Sequence, residues 1–184
     1  MSEQITLINN LSGKNAFPAE FRILQGKDLV ARVGVPAGGQ AQVPSGNSYT
    51  VTASTTMGNI SLTSNSVMFD SDSAHLLAQV RMNKPGLFDF ELVPLGSVPN
   101  GRAITCENTW REPVTFNIQR NGSPMAILKV VDEHNTSTVS TEQNWKIYGI
   151  VDGITTLMVS TDNPDAIITV NADNNDDGYT LTVG

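Results

Sequence analysis

The stretch that decides the fold is ITLIN at residues 5–9, because a similar stretch, ITCEN, recurs at residues 104–108. Further similar pairs follow in the same order along the chain. They are FRI at 21–23 with FNI at 116–118, LVARV at 29–33 with AILKV at 126–130, SYTV at 48–51 with NWKI at 144–147, and FDFEL at 88–92 with YTLTV at 179–183. The spacing drifts between 99 and 91 residues, as expected when insertions fall in loops and the strands are kept. The pattern predicts an internal duplication.

The repeat also predicts the domain organisation. We expect a first module over residues 1–96, a linker over residues 97–101 and a second module over residues 102–184. Proline and glycine are frequent around the predicted linker, which suits a short connection.

Each predicted module has the pattern of a β-protein. Tyr49, Val51 and Ala53 alternate with threonines, and this period of two places one set of side chains inward and the other toward solvent. Asp152 and Gly153 lie between two apolar runs and form a strong two-residue hairpin signal. The predicted fold class is therefore all-β, with tandem duplicated β-sandwich modules of jelly-roll or immunoglobulin-like type.

Composition narrows the classes of partner. The 184 residues contain 11 Lys and Arg against 18 Asp and Glu, so the formal net charge is −7 and a nucleic-acid surface is disfavoured. Charged residues make up 16% of the chain against about 25% in an average domain. The single cysteine, Cys106, excludes an internal disulfide and is expected to be buried.

Two targeting signals are missing from the sequence. No run approaches the roughly 18 apolar residues that a membrane span requires, so we expect no span. The first residues, MSEQI, lack the pattern of a signal peptide. We expect a protein that is cytoplasmic as synthesised, with release by a route that needs no signal peptide as the alternative.

Three aromatic residues are candidate ligand contacts. Trp110 and Phe17 lie in matching loops of the two modules, where an exposed ring stacks on a ligand and a buried ring closes the end of the sandwich. Both alternatives stay open. Trp145 matches Tyr49 within a strand and is expected in the core, which places Tyr148 on the opposite face.

Acidic residues form a second candidate set. Asp70 and Asp72 precede a late strand of the first module, and Asp162 and Asp165 precede its counterpart in the second. Such carboxylates bind a cation or sugar hydroxyls, or they simply make the turn, which is the favoured interpretation.

A partial calcium motif lies near the end of the sequence. DNNDDG at residues 173–178 presents Asp173, Asn175 and Asp177 at alternate positions before a glycine, as a calcium loop does. The bidentate glutamate expected six residues after the glycine is replaced by Gly184. We therefore expect an exposed acidic hairpin and no cofactor, with Ca²⁺ as the weaker alternative.

The leading functional hypothesis is a non-enzymatic recognition protein of lectin-like or toxin-targeting type. Its loops would bind a glycan or another cell-surface component, with two modules giving avidity. The alternative is a self-associating structural subunit of a virion, phage or injection particle, which low charge and exposed strand edges suit. A hydrolase that uses the loop carboxylates is a minor alternative, because no nucleophile–base motif is present.

Overall fold

The computed structural model of the chain describes residues 3–96, 101–174 and 178–184. Those residues form an all-β structure, with one 3-10 turn at Gly13–Asn15 and no α-helix among them. In chain order the strands are β1 (Gln4–Asn9), β2 (Ala19–Gln25), β3 (Asp28–Val35), β4 (Gln40–Pro44), β5 (Tyr49–Met57), β6 (Ile60–Thr63), β7 (Val67–Phe69), β8 (Ala74–Lys84), β9 (Leu87–Gly96), β10 (Ala103–Asn108), β11 (Val114–Arg120), β12 (Ser123–Val130), β13 (Thr136–Ser140), β14 (Trp145–Val151), β15 (Ile154–Thr155), β16 (Val159–Thr161), β17 (Ile167–Ala172) and β18 (Tyr179–Val183).

The strands are divided between two compact units. Unit 1 comprises Met1–Gly46 and Gln143–Gly184, and unit 2 comprises Asn47–Glu142. These units differ from the predicted modules, because each takes four strands from one predicted module and five from the other. The inward faces of β5 and β14 explain how this is possible. Tyr49 and Val51 on β5 match Trp145 and Ile147 on β14, so either strand supplies the same buried pattern.

Unit 1 is β-sandwich-like and contains two sheets. Their strand orders are β18-β17-β1-β4 and β15-β14-β2-β3, with β16 also paired to β14. The β1–β17 pair is parallel, with Leu7 opposite Ile168, whereas β14 runs antiparallel to β2. Side chains from both sheets meet in one buried cluster that includes Leu7, Phe21, Ile147 and Ile168.

Unit 2 repeats this topology with the other strands. Its sheets are β13-β10-β8-β9 and β12-β11-β5-β6, and β7 also pairs with β5. The β8–β10 pair is parallel, as its counterpart is in unit 1. The core contains Tyr49, Leu76, Phe116 and the buried thiol of Cys106, whose predicted burial is confirmed.

Several local predictions are confirmed. Asp152 and Gly153 both have positive φ, at 48° and 76°, as a two-residue hairpin turn of type I′ requires. Trp145 is buried, and Tyr148 lies on the outward face of the same strand. The strand predicted after this turn is interrupted, however, because only β15 and β16 form at its two ends.

One hairpin differs between the units. β8 and β9 have 11 and 10 residues, whereas their counterparts β17 and β18 have 6 and 5. The extra length continues past the core and ends in exposed apolar side chains, Met82, Leu87 and Phe88. Gly86 turns the chain at the tip with a φ of 80°. We call this exposed part, residues 81–89, the hairpin arm.

Candidate functional site

An open groove lies on the outward face of the β15-β14-β2-β3 sheet in unit 1. Its volume is about 540 Å³. It is lined by charged, aromatic, aliphatic and hydroxyl side chains, namely Arg22, Leu24, Tyr148, Ile150, Thr155, Thr156 and Met158. Because these residues come from three neighbouring strands and the segment after them, the groove belongs to one sheet of one unit.

Strand register explains why these side chains share a face. Tyr148 lies directly opposite Arg22 on β2, and Arg22 lies directly opposite Arg32 on β3. Directly opposite residues of antiparallel strands point to the same side of the sheet. The register therefore forms a row, Tyr148–Arg22–Arg32, across three strands. Lys146 lies two residues before Tyr148 and on the same outward face.

Two neighbours hold Arg22 in position. Its Nε donates to Glu20 Oε1 at 2.7 Å, and a terminal nitrogen lies 3.5 Å from the hydroxyl oxygen of Tyr148. The guanidinium carbon lies 6.0 Å from the centre of the Tyr148 ring. The hydrogen bond to Glu20, and then that to Tyr148, raises the pKa of Arg22, so the side chain stays cationic at every physiological pH. The side chain is 28% exposed, which leaves donor groups accessible from the groove.

The interrupted strand supplies the other wall of the groove. Thr156 Oγ1 accepts the backbone N–H of Gly149 at 2.9 Å and donates to the carbonyl of Leu157 at 3.0 Å. A side-chain oxygen thus takes the place of a backbone carbonyl as the acceptor of the Gly149 N–H. The chain leaves the sheet between β15 and β16. Met158, which is 50% exposed, consequently lies at the groove beside Leu24 and Ile150.

The equivalent face of unit 2 has different chemistry. The row that matches Tyr148–Arg22–Arg32 is Thr52–Asn117–Ile127, by the same strand register. Arg32 therefore corresponds to Ile127, and the predicted alignment of Arg32 with Lys129 is wrong by two residues. The unit 2 row has no charged residue and no aromatic ring. Unit 2 therefore provides a face with equivalent strand pairing against which substitutions in the groove can be compared.

The two predicted loop aromatics are both half-buried. Phe17 packs against the core of unit 1. Trp110 packs against the core of unit 2, and its indole N–H donates to the carbonyl of Thr56 at 3.1 Å. Arg111 covers the ring, with its guanidinium carbon 5.1 Å from the ring centre. These contacts account for the half-buried state of both rings.

The four predicted acidic residues are divided between the units. Asp70 and Asp72 belong to unit 2, and Asp162 and Asp165 belong to unit 1. The Asp72 carboxylate accepts from the Tyr49 hydroxyl at 3.4 Å, and the Asp165 carboxylate accepts the backbone N–H of Gln4 at 3.2 Å. Asp70 and Asp162 are exposed. Two of the four carboxylates thus have internal partners that fix the turns in which they lie.

Only part of the calcium motif can be described. The backbone N–H of Asp173 donates to the carbonyl of Gly178 at 2.9 Å, as in a hairpin. Asn175 and Asp177 lie outside the described residues. Among the residues that are described, no three His, Cys, Asp or Glu side chains form a group suited to a metal ion.

Sequence reasoning missed the groove and one polar pair. Arg22 and Tyr148 are 126 residues apart, and only the pairing of β2 with β14 brings them together. His75 and Glu107 lie on neighbouring strands of unit 2, with Nε2 and Oε2 3.0 Å apart. The sequence shows which side chains of each strand face outward, but it does not show which strand lies next to it in the sheet.

Comparison of the chain with protein-family models, with curated proteins and with solved structures found no match. In the described part of the chain, no helix has the length and apolar character needed to cross a membrane.

Proposed function

We propose that the protein is a non-enzymatic recognition protein and that the groove of unit 1 binds a cell-surface glycan. The observation that carries the proposal is the pair formed by Tyr148 and Arg22, whose hydroxyl and guanidinium groups lie 3.5 Å apart at the groove. A sugar ring has an apolar C–H face and a rim of hydroxyl groups. An aromatic ring is complementary to the C–H face, and the N–H groups of a neighbouring guanidinium are complementary to the hydroxyl groups.

The remainder of the groove supports binding of a small, partly apolar ligand. Leu24, Ile150 and Met158 provide apolar surface, and the exposed Thr155 provides a hydroxyl. Ligand sites commonly combine such apolar walls with a few polar groups that fix orientation. The proposed site is thus a sheet face that includes Tyr148, while the predicted loop aromatics Trp110 and Phe17 become supporting residues.

Binding without chemistry is the favoured mechanism. Arg22 is the one ionisable cation among the seven lining residues, and that lining contains no carboxylate, imidazole or thiol. Such a set orients a ligand but provides no general base or nucleophile at neutral pH. The hydrolase alternative, in which loop carboxylates act, predicts loss of any measured activity in Asp72→Asn or Asp162→Asn.

The test is a glycan array probed with the full chain, once with calcium and once with a chelator. We expect a defined class of sugars to bind in both conditions, and Tyr148→Ala to lose that binding. Thr52→Ala is the matched control, because Thr52 occupies the equivalent position in unit 2. Equal binding by both variants would refute the groove as the site. Binding that is lost only in chelator would instead indicate a calcium-dependent site at Asp173, Asn175 and Asp177.

A second candidate function is a structural subunit of a larger assembly, and the hairpin arm is the observation that favours it. Met82 is 65% exposed, Leu87 59% and Phe88 40%, and all three lie at one end of unit 2. Exposed apolar side chains beside strand edges suit lateral association. Sedimentation at high concentration tests this alternative, since a subunit is expected to associate and a monomeric lectin is not.

We also propose that the chain arose by duplication of one nine-strand repeat. β1–β9 and β10–β18 have the same order and equivalent pairings. A buried asparagine occupies the end of the first strand in each, Asn9 and Asn108. In addition, Ser64 Oγ accepts the backbone N–H of Ala53 at 2.8 Å, just as Thr156 accepts that of Gly149. Equivalent polar contacts at equivalent positions support a common origin of the two repeats more strongly than the shared order of strands does.

A further inference from the structure

We infer that the ligand of the groove carries a carboxylate, held by Arg22, which lines the groove, and by Arg32, which lies beside Arg22 just outside the lining, and is therefore an acidic sugar. This inference rests on the proposed function and narrows it to one chemical class. The relevant sugars are pyranoses with a carboxylate on the ring, which include uronic acids and sialic acids.

Two like charges lie side by side on the outward face of this sheet. Arg22 and Arg32 lie directly opposite each other on antiparallel strands, where Cβ atoms are about 4.5–5.5 Å apart. Like charges in this position destabilise a sheet, and an anion placed between them reduces the repulsion. Glu20 occupies only the Nε of Arg22. No ion pair of Arg32 occurs within 4.0 Å among the described residues.

The guanidinium group has a shape that suits binding of a carboxylate. Arginine presents its donors in a planar fork that matches the two oxygens of a carboxylate. Because Glu20 and Tyr148 already fix the plane of Arg22, less side-chain freedom is lost when a ligand binds. Tyr148 lies on the opposite side of Arg22 from Arg32, so a sugar whose carboxylate is held between the two arginines extends across Arg22 to contact Tyr148.

The positive charge of this face contrasts with the negative net charge of the whole chain. The formal net charge is −7, yet Arg22, Arg32 and Lys146 share one outward face with Glu20 as the acid among them. The equivalent rows of unit 2 carry one cation, Lys129, opposite Thr115. A cationic face on an acidic protein concentrates anionic ligands locally and steers their approach.

The experiment compares probes that differ only in the carboxylate. Tri-galacturonate and its carboxyl-reduced form, tri-galactose, are titrated into the full chain by calorimetry, and sialyllactose is compared in parallel with sialyllactose whose carboxylate has been reduced to the primary alcohol. The two acidic probes distinguish a uronate from a sialate as the source of the carboxylate. We expect at least one acidic probe to bind about tenfold or more tightly than its neutral partner, as expected for hydrogen bonds between charged groups.

Three variants complete the design. Arg32→Gln and Arg22→Gln are each expected to lose about tenfold or more in affinity for the preferred acidic probe. Lys129→Gln is the matched control, because it removes the same charge from the equivalent face of unit 2, and its affinity should stay within about twofold of that of the wild type. Unfolding curves for each variant confirm that the units remain folded.

The outcomes separate this inference from the proposed function. If the acidic and neutral probes bind equally well and Tyr148→Ala abolishes both, the groove binds glycans but the carboxylate inference is wrong. An unchanged affinity in Arg32→Gln also overturns it. If no probe binds and the glycan array is silent, the proposed function fails together with the inference.

Discussion

Replacing the buried asparagine of unit 1 is the sharpest test of how the sandwich ends are held together. Asn9 is fully buried, and all of its side-chain hydrogen-bonding groups are used. Both amide hydrogens donate, to the carbonyls of Phe17 at 2.9 Å and Val35 at 3.0 Å, while Oδ1 accepts the N–H of Leu11 at 3.1 Å. The substitution Asn9→Ala therefore removes one hydrogen bond from each of three backbone groups.

The expected magnitude follows from these three bonds. An unsatisfied buried group costs about 1–3 kcal/mol, and some relaxation and water entry reduce the total below a simple sum. We expect the free energy of unfolding of unit 1 to fall by about 3–5 kcal/mol. The control is Asn10→Ala, since Asn10 is exposed and its side-chain amide donates to Oδ1 of Asn171 at 3.0 Å. Its expected change lies within about 0.5 kcal/mol.

The two tryptophans allow each unit to be followed separately. Trp145 belongs to unit 1 and Trp110 to unit 2, so Trp110→Phe leaves a fluorescence signal from unit 1 alone. Urea unfolding of Asn9→Ala is measured in that background. Asn108→Ala, followed through Trp110, should lose a similar amount, because Asn108 makes the equivalent contacts with Glu112, Val130 and Trp110. A loss below about 1 kcal/mol for Asn9→Ala, equal to that of the exposed control, would refute the reasoning.

Three further predictions concern stability. Burial raises the pKa of Cys106 from an ordinary 9.0 to about 12, so the thiol loses its proton at lower pH in the unfolded chain than in the folded one. The free energy of unfolding therefore falls as pH rises above about 9, by about 2 kcal/mol at pH 10.5. Urea unfolding measured against pH should show a smaller fall in Cys106→Ala. The fragment 47–142 should unfold cooperatively on its own by circular dichroism, whereas 1–96 has strands from both units and should not. Gly153→Ala should cost about 1–2 kcal/mol, because Gly153 has a φ of 76°, while Gly34→Ala has open space and should be near neutral in the same assay.

The sequence predicted strands and turns well because those depend on neighbours along the chain. The alternation at Tyr49, Val51 and Ala53 matches their burial, and the hairpin turn at Asp152 and Gly153 forms as expected. Local chemistry alone decides both features. Period-two patterning and a two-residue turn are therefore the parts of this fold that a single sequence reveals.

The pairing between distant strands could not be predicted in the same way. β2 pairs with β14 and β11 pairs with β5, yet β5 and β14 present nearly the same buried pattern. Exchange of one for the other keeps the apolar burial almost constant, so hydrophobic pattern does not choose between them. The groove depends on this choice, because Arg22 would otherwise lie beside Thr52 of β5 instead of Tyr148.

The most direct test of the central claim is a titration of the preferred array glycan into the wild type, Tyr148→Ala and Thr52→Ala. The groove account predicts that Tyr148→Ala weakens binding by about tenfold or more, while Thr52→Ala stays within about twofold of the wild type. Equal affinities for all three proteins would contradict the account and remove the groove as the recognition site.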